Sequence, residues 1–120
     1  MNNKKDNKIK GNKGEALACE YIEREGYKVL ERNFKNRFGE IDIVARDGNI
    51  FCFIEVKWRR NDRFGSGLEA VGYRKQQKII RMVKEYLKEK GAELPVRIDV
   101  VSICGDTGDI QLLKNAVVDN

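Results

Sequence analysis

Two charged residues stand near the end of the most apolar stretch of the chain. In residues 50–58 (IFCFIEVKW), Glu55 and Lys57 follow Phe51 and Phe53 at alternate positions. Residues i and i+2 of a strand point to one face, so the carboxylate and the amine lie side by side. Ionised groups buried without partners are strongly destabilising, so a sequence that places two there needs a reason. A third charge comes from residues 40–46 (EIDIVAR). Their alternation puts Glu40, Asp42 and Val44 on one face and Ile41, Ile43 and Ala45 on the other. Between the two segments, Asp47-Gly48-Asn49 carries a hairpin signal. Antiparallel pairing about Gly48 sets Asp42 opposite Ile54, next to Glu55. Asp42, Glu55 and Lys57 then converge, given local twist and a bulge. Two neighbouring carboxylates raise each other's pKa, and a divalent cation relieves the repulsion. A lysine beside them can orient or deprotonate an attacking water, or stabilise developing negative charge. The competing reading is a structural ion pair between Glu55 and Lys57 at a strand end that emerges into solvent.

Glu15 is the fourth candidate. At 100° per residue it falls inside the apolar arc that Leu17, Ala18, Cys19, Tyr21 and Ile22 form on a helix over 12–25. Asn12-Lys13-Gly14-Glu15 also has capping-box spacing, so cap and site stand side by side as readings.

What the chain lacks narrows the chemistry. It has no histidine, and serine only at Ser66 and Ser102. A Ser-His-Asp or Cys-His hydrolase is excluded, because its general base is missing. Cys19, Cys52 and Cys104 stand far apart with no CxxC pair, which argues against structural zinc. Their apolar surroundings mark them as reduced core thiols of a cytosolic protein. Carboxylate, lysine, arginine and tyrosine remain, a palette suited to hard oxygen-seeking ions such as Mg²⁺ or Mn²⁺.

Net charge is +5 over 120 residues, with a pI near 9.2, and points toward polyanions. The distribution says more. Lys4, Lys5, Lys8, Lys10 and Lys13 face Asp6 alone in the first fourteen residues. Arg74, Lys75, Lys78, Arg81 and Lys84 share the stretch 73–84 with no acid. Lys57, Arg59, Arg60 and Arg63 form a third cluster. A solvated face is the bland account of each run. Cations without one acid over 73–84 favour phosphate contact there.

These residues need elements to position them. Residues 1–10 are polar and aperiodic and read as a flexible basic arm. Gly26 ends the first helix. Strands follow at 28–34, 40–46 and 50–58, the last central and covered on both faces. Residues 59–68 read as a loop, and 69–90 as a long helix whose Ile79, Ile80, Val83, Tyr86 and Leu87 share one face. Lys75 falls on the flank of that apolar stripe, from where it reaches the site, a phosphate or water. Gly91 and Pro95 end the helix, 96–103 is a fourth strand, and 109–113 a short fifth. Arg97 and Asp99 inside the fourth strand read as a structural ion pair, and Trp58 and Tyr73 as packing residues that could also stack on a base. No apolar run reaches ~18 residues, so no membrane span is expected. The lysine-rich start without an apolar segment behind it does not read as a secretory signal.

Asp42, twelve intervening residues, then Glu55-Val56-Lys57 on a hairpin resembles the PD-(D/E)XK nuclease superfamily. The helix with Lys13-Gly14-Glu15 is similar to the opening helix of its archaeal Holliday-junction resolvase branch. Longer runs point to closer kin. Gly14-Glu15-Ala16, Gly26-Tyr27, Arg32-Asn33, Gly39-Glu40-Ile41-Asp42, Ile54-Glu55-Val56-Lys57, Phe64-Gly65, Lys75 and Arg97-Ile98-Asp99-Val100-Val101 resemble the YraN-like family of bacterial proteins, over about residues 10–104. The acid-acid-lysine core alone recurs by chance, whereas its combination with the flanking runs is far more specific. Ile41 stands where the motif's name has proline, a common replacement in the superfamily.

The resemblance implies a restriction-endonuclease-like α/β core in the order α-β-β-β-α-β(-β), a mixed sheet flanked by helices. Residues 11–120 would form the single nuclease-like domain. Asp42 and Glu55 would be metal ligands, the Val56 carbonyl a further oxygen ligand, Lys57 the catalytic lysine and Glu15 an auxiliary acid. Mg²⁺ or Mn²⁺ is the expected cofactor and DNA the expected partner, with RNA open and no membrane. Arg59, Arg60, Arg74, Lys75, Lys78 and Arg81 would bind the nucleic acid. The resolvase-like relatives are dimers, which suggests a homodimer by analogy. Two further readings stay open: a non-catalytic nucleic-acid-binding module that keeps the nuclease fold, and a protein-interaction domain.

Overall fold

The computed structural model describes the backbone of residues 3–60, 73–91 and 95–117, and the side chains of 13–60, 74–91 and 95–116. Seven elements follow one another: α1 (Asn3–Arg24), β1 (Lys28–Asn36), β2 (Gly39–Asp47), β3 (Ile50–Arg59), α2 (Tyr73–Lys90), β4 (Val96–Cys104) and β5 (Ile110–Val117). The order is the expected one, with a restriction-endonuclease-like core. One difference is the start of α1 at Asn3, upstream of the expected Asn12. Residues 3–11 show no apolar period, but they hold several lysines and no proline, a composition that extends a helix. The capping-box reading of Asn12 to Glu15 falls with that start, because Glu15 now lies in the helix body. The start of the second helix expected at 69 lies outside the described residues, as does most of the 59–68 loop.

The five strands lie in the order β1-β2-β3-β4-β5. β1, β2 and β3 form an antiparallel meander, β3 and β4 pair in parallel across the α2 crossover, and β5 returns antiparallel. β5 runs on to Val117, beyond the expected 113. α1 packs Ala18, Cys19 and Ile22 onto Ile43, Ala45, Cys52, Ile54, Val101 and Ile103 of one sheet face. The other face carries Ile41, Val44, Phe53 and Ile98 under Ile79, Ile80, Met82, Val83 and Tyr86 of α2. β3 therefore has helices over both faces, as its near-continuous apolar run requires. Cys19, Cys52 and Cys104 are free and buried.

The end of α1 sets the sheet in place. Gly26, at φ 98°, donates to Glu23, and Tyr27 donates to Ile22. This is a Schellman motif, in which glycine takes the left-handed position at least cost. It aims Tyr27 at the fully buried Asp99, to which its hydroxyl donates at 3.1 Å. Arg97 Nε bonds both carboxylate oxygens of Asp99, and Asn115 donates its backbone N–H to one of them. Arg97 also pairs with Asp47 at 3.0 Å. The ion pair expected between Arg97 and Asp99 is thus present and satisfied on all sides, as buried charge demands.

Candidate active site

The β2–β3 ladder runs from Asp47↔Ile50 to Ile43↔Ile54. Its turn is the two-residue Gly48-Asn49, so the register differs by one from pairing about Gly48. The next pair in this register is Asp42 and Glu55. Here the two strands part, and Asp42 Oδ2 accepts the Val56 N–H at 2.8 Å in place of a ladder carbonyl. A residue's N–H and C=O point to the same side of a strand. The Val56 carbonyl therefore opens into the gap beside Asp42.

The parting has a cause in β1. Asn33, which lies opposite Asp42 between the Arg32↔Ile43 and Phe34↔Ile41 pairs, has φ 54°. Asparagine tolerates this left-handed conformation better than other side-chain-bearing residues. Strand alternation slips there. Arg32 reaches Glu15 on the α1 side, while Phe34 packs with Tyr86 on the α2 side. In β2, Ile41 accordingly joins Val44 under α2, not Ile43 and Ala45 as strict alternation expects. The kink frees Asp42 to bend toward β3.

Glu55 and Lys57 keep the face of Phe53, toward α2. Glu55 is 8% exposed. Lys57 Nζ stands 3.9 Å from Glu55 Oε1, whereas the Lys75 amine of α2 makes a close ion pair with the same oxygen. The expected Glu55–Lys57 pair is thus the weaker contact. Lys75, read as a flank residue with three possible directions, points into the site. Glu15 enters from α1, 8% exposed, with Oε2 lacking a hydrogen-bond partner and Arg32 3.8 Å away. Gly14 beside it explains how the helix comes so near. A Cβ there would stand 3.3 Å from the Trp58 ring, so glycine permits the close approach.

Electrostatics follow this crowding. Burial pushes the Asp42 carboxyl up, to about 7, and the charges of Glu55 and Glu15 add to it, against the Val56 N–H and Lys75. Lys57 falls below its ordinary value, by burial first and then by the adjoining Lys75. Burial is the largest single influence on Lys75 and would lower it, but the bonds to Glu55 and Lys57 and the charges of Glu55 and Asp42 together leave it raised. The site holds one firm ammonium, Lys75, and one amine that gives up its proton more readily, Lys57.

Asp42, Glu55, Lys57 and the Val56 carbonyl thus come together, with Glu15 near enough to act on Asp42 electrostatically. Among the described residues no group of three or more His, Cys, Asp or Glu side chains could hold a metal by itself. The basic residues divide. Arg74, Lys78 and Arg81 line the exposed side of α2, and Arg60 is exposed beyond β3. Arg59 is partly buried and donates from Nε to Ser102 Oγ at 2.6 Å, which fixes it against β4. Trp58 packs against Gly14 and Gly105, and the Tyr73 side chain lies outside the described residues. Sequence reasoning missed two contributors. Asn33 had a signal, since asparagine is rare inside strands. Phe38, in the β1–β2 turn between the guanidiniums of Arg37 and Arg81, each 4.8 Å from its ring centre, had none.

A five-stranded mixed sheet with helices on both faces, and an acid-acid-lysine set on its central hairpin, defines a domain of the PD-(D/E)XK type. Residues 14–103 match the uncharacterised protein family UPF0102. A UPF0102 protein of Thermodesulfovibrio yellowstonii is 48% identical over 106 residues, 88% of this chain and 93% of the relative. Those of Dictyoglomus turgidum (44% over 121 residues, 97% and 99%) and Fusobacterium nucleatum (42% over 108 residues, 89% of each) are similar along nearly their whole lengths. The chain belongs to the UPF0102 family, the YraN-like group that the sequence runs resemble.

Proposed function

We propose that this protein is a divalent-metal-dependent nuclease that hydrolyses DNA phosphodiesters, branched or repair intermediates among them. One observation carries the reading: Asp42 and Glu55 meet where β2 leaves β3, with the Val56 carbonyl and Lys57 at the same gap. The donor set fits Mg²⁺ or Mn²⁺. All its atoms are hard oxygens, burial and the Glu55 charge raise the Asp42 carboxyl, and a buried Glu15 oxygen has no hydrogen-bond partner. Asp42, Glu55 and the Val56 carbonyl would hold the ion. Such an ion supplies Lewis-acid stabilisation of phosphate charge and lowers the pKa of water.

The chain's own groups do the rest. Lys57, with its lowered pKa, takes a proton from a water placed beside the phosphorus. Lys75 neutralises Glu55 and, where a cation held that carboxylate, would offer its ammonium to a phosphate oxygen. Glu15 steadies water beside Asp42 through the oxygen that has no hydrogen bond. Arg60, Arg74, Lys78 and Arg81 hold the DNA backbone, and Arg59 shapes the strand end beside them. No helix among the described residues is long and apolar enough to cross a membrane. Free, buried cysteines favour a reducing, cytoplasmic setting, and the resolvase analogy supports a homodimer.

Wild type and Glu55→Ala are to be assayed side by side with Mn²⁺ on nicked, branched and single-stranded DNA. Activity should fall by a factor on the order of 100 or more in the variant. Equal activity in both means a contaminant and ends the proposal. The Lys75–Glu55 pair favours one second reading, a DNA-binding module whose site balances its charge without metal. Calorimetric titration with Mg²⁺ separates the two, since heat at millimolar metal belongs to the nuclease alone.

A further inference from the structure

A cavity of about 410 Å³ opens between the β1–β2 turn and α2. Among the described residues its lining includes Phe38, Ile79 and Met82 as apolar residues, Arg74, Lys75 and Lys78 as cations, and Glu40 as the one acid. The α2 members recur every three or four positions, so they share one side of the helix. Lys75 belongs to both places: it lines the cavity, and its amine pairs with Glu55. Lys75 is therefore shared between the cavity and the acidic site.

We infer that this cavity seats one unpaired nucleotide of a nucleic-acid strand, next to the phosphate presented to Asp42 and Glu55. The inference rests on the nuclease reading and adds the form of its substrate. Three features of the lining select the occupant. The cations of the lining match a phosphate, which a purely apolar ligand lacks. The apolar side chains of the lining, Phe38, Ile79 and Met82, match the apolar surface of a base, which inorganic phosphate lacks. The Glu40 carboxylate accepts from base N–H groups, which a sugar-phosphate lacks. The volume lies in the range of ~300–1,000 Å³ common for small-molecule sites and suits a single nucleotide. Bases of a duplex are stacked inward and enter such a cavity only by flipping out, at the cost of unstacking. An unpaired nucleotide enters without that cost. Single-stranded segments, such as flaps, gaps and the arms of branched intermediates, are therefore the strands this site takes.

The test is binding in EDTA, so that it does not depend on cleavage. A 12-nucleotide DNA strand carrying one central 2-aminopurine, its blunt duplex, and the RNA strand of the same sequence are titrated with the full chain. A single strand should bind about tenfold more tightly than the duplex, with a change in 2-aminopurine fluorescence. Whichever strand shows the larger change, DNA or RNA, names the source. Phe38→Ala should reduce that preference to about twofold or less while leaving duplex binding in place. A deoxynucleoside monophosphate should displace the strand from wild-type protein more readily than deoxyribose 5-phosphate does, a readout independent of whether the variant folds. Equal binding of strand and duplex by wild type, or equal displacement by the two competitors, overturns the inference. Cleavage with Mn²⁺ is scored separately. Lost strand preference with cleavage intact refutes the cavity assignment alone, and retained preference without cleavage refutes the nuclease reading alone.

Discussion

Asp42 holds its proton to about pH 7 because burial and Glu55 both oppose its charge. The unfolded chain releases that proton near 3.8, the ordinary value. Between these two values the folded state binds more protons, so the metal-free protein loses stability as pH rises. Asp42→Asn should flatten that part of the curve, as thermal melts from about pH 4 to about pH 8 will show. Lys75 stands where a metal would meet Glu55. Lys75→Gln removes a competing charge and should tighten Mn²⁺ binding about tenfold, measured by electron paramagnetic resonance of free Mn²⁺. Unchanged affinity would mean that the amine leaves Glu55 at no cost. Asp42, Glu55 and Lys57 were legible in the sequence because charges inside an apolar strand are unfavourable without a purpose. The role of Lys75 was not, since its place on the flank of the helical stripe allowed three directions and only the packing of α2 chose one.

At the scale of elements, the hairpin kink makes the site. Asn33→Val forces a β-branched residue to φ 54° and should destabilise the fold by about 1–2 kcal/mol, while Asn33→Gly should cost far less. Chemical denaturation of both variants checks this, and equal effects would remove the kink from the explanation. Gly14→Ala brings a methyl group to 3.3 Å from Trp58, and about 1–3 kcal/mol of destabilisation should follow as α1 is pushed outward with Glu15. Strand periods, the caps at Gly26 and Gly91, and the buried character of β3 were readable, because alternation and glycine report local backbone physics. The one-residue register and the slip at Asn33 were not. Period-2 patterns fix which face a residue takes only while the strand stays regular, and one left-handed residue resets the count. The helical start of α1 also escaped, since residues 3–11 offer propensity without an apolar period.

The whole molecule places two kinds of surface side by side. The acidic gap at the end of the β2–β3 ladder adjoins α2 through Lys75, and on the proposed reading an excess of five positive charges would draw a polyanion toward both. Arg74→Gln and Arg81→Gln should each weaken DNA binding alike across sequences and lower the salt slope by about 1. Fluorescence anisotropy over a range of salt concentrations measures it, and an unchanged slope would remove α2 from the interface. The Tyr27–Arg97–Asp99 network ties the turn after α1 to β4 and β5, with Asp99 paired to Ile54, the residue before Glu55. Fold class was plain from the order of elements, whereas the cavity behind Phe38 was not, because turn and helix meet only in three dimensions.

Crystals soaked in Mn²⁺ and measured for anomalous scattering give the most direct test of the shared acid site. A peak between Asp42 and Glu55, within reach of the Val56 carbonyl and with the Lys75 amine displaced from Glu55, is the expected result. No peak there at millimolar Mn²⁺, with Lys75 still paired to Glu55, would contradict it.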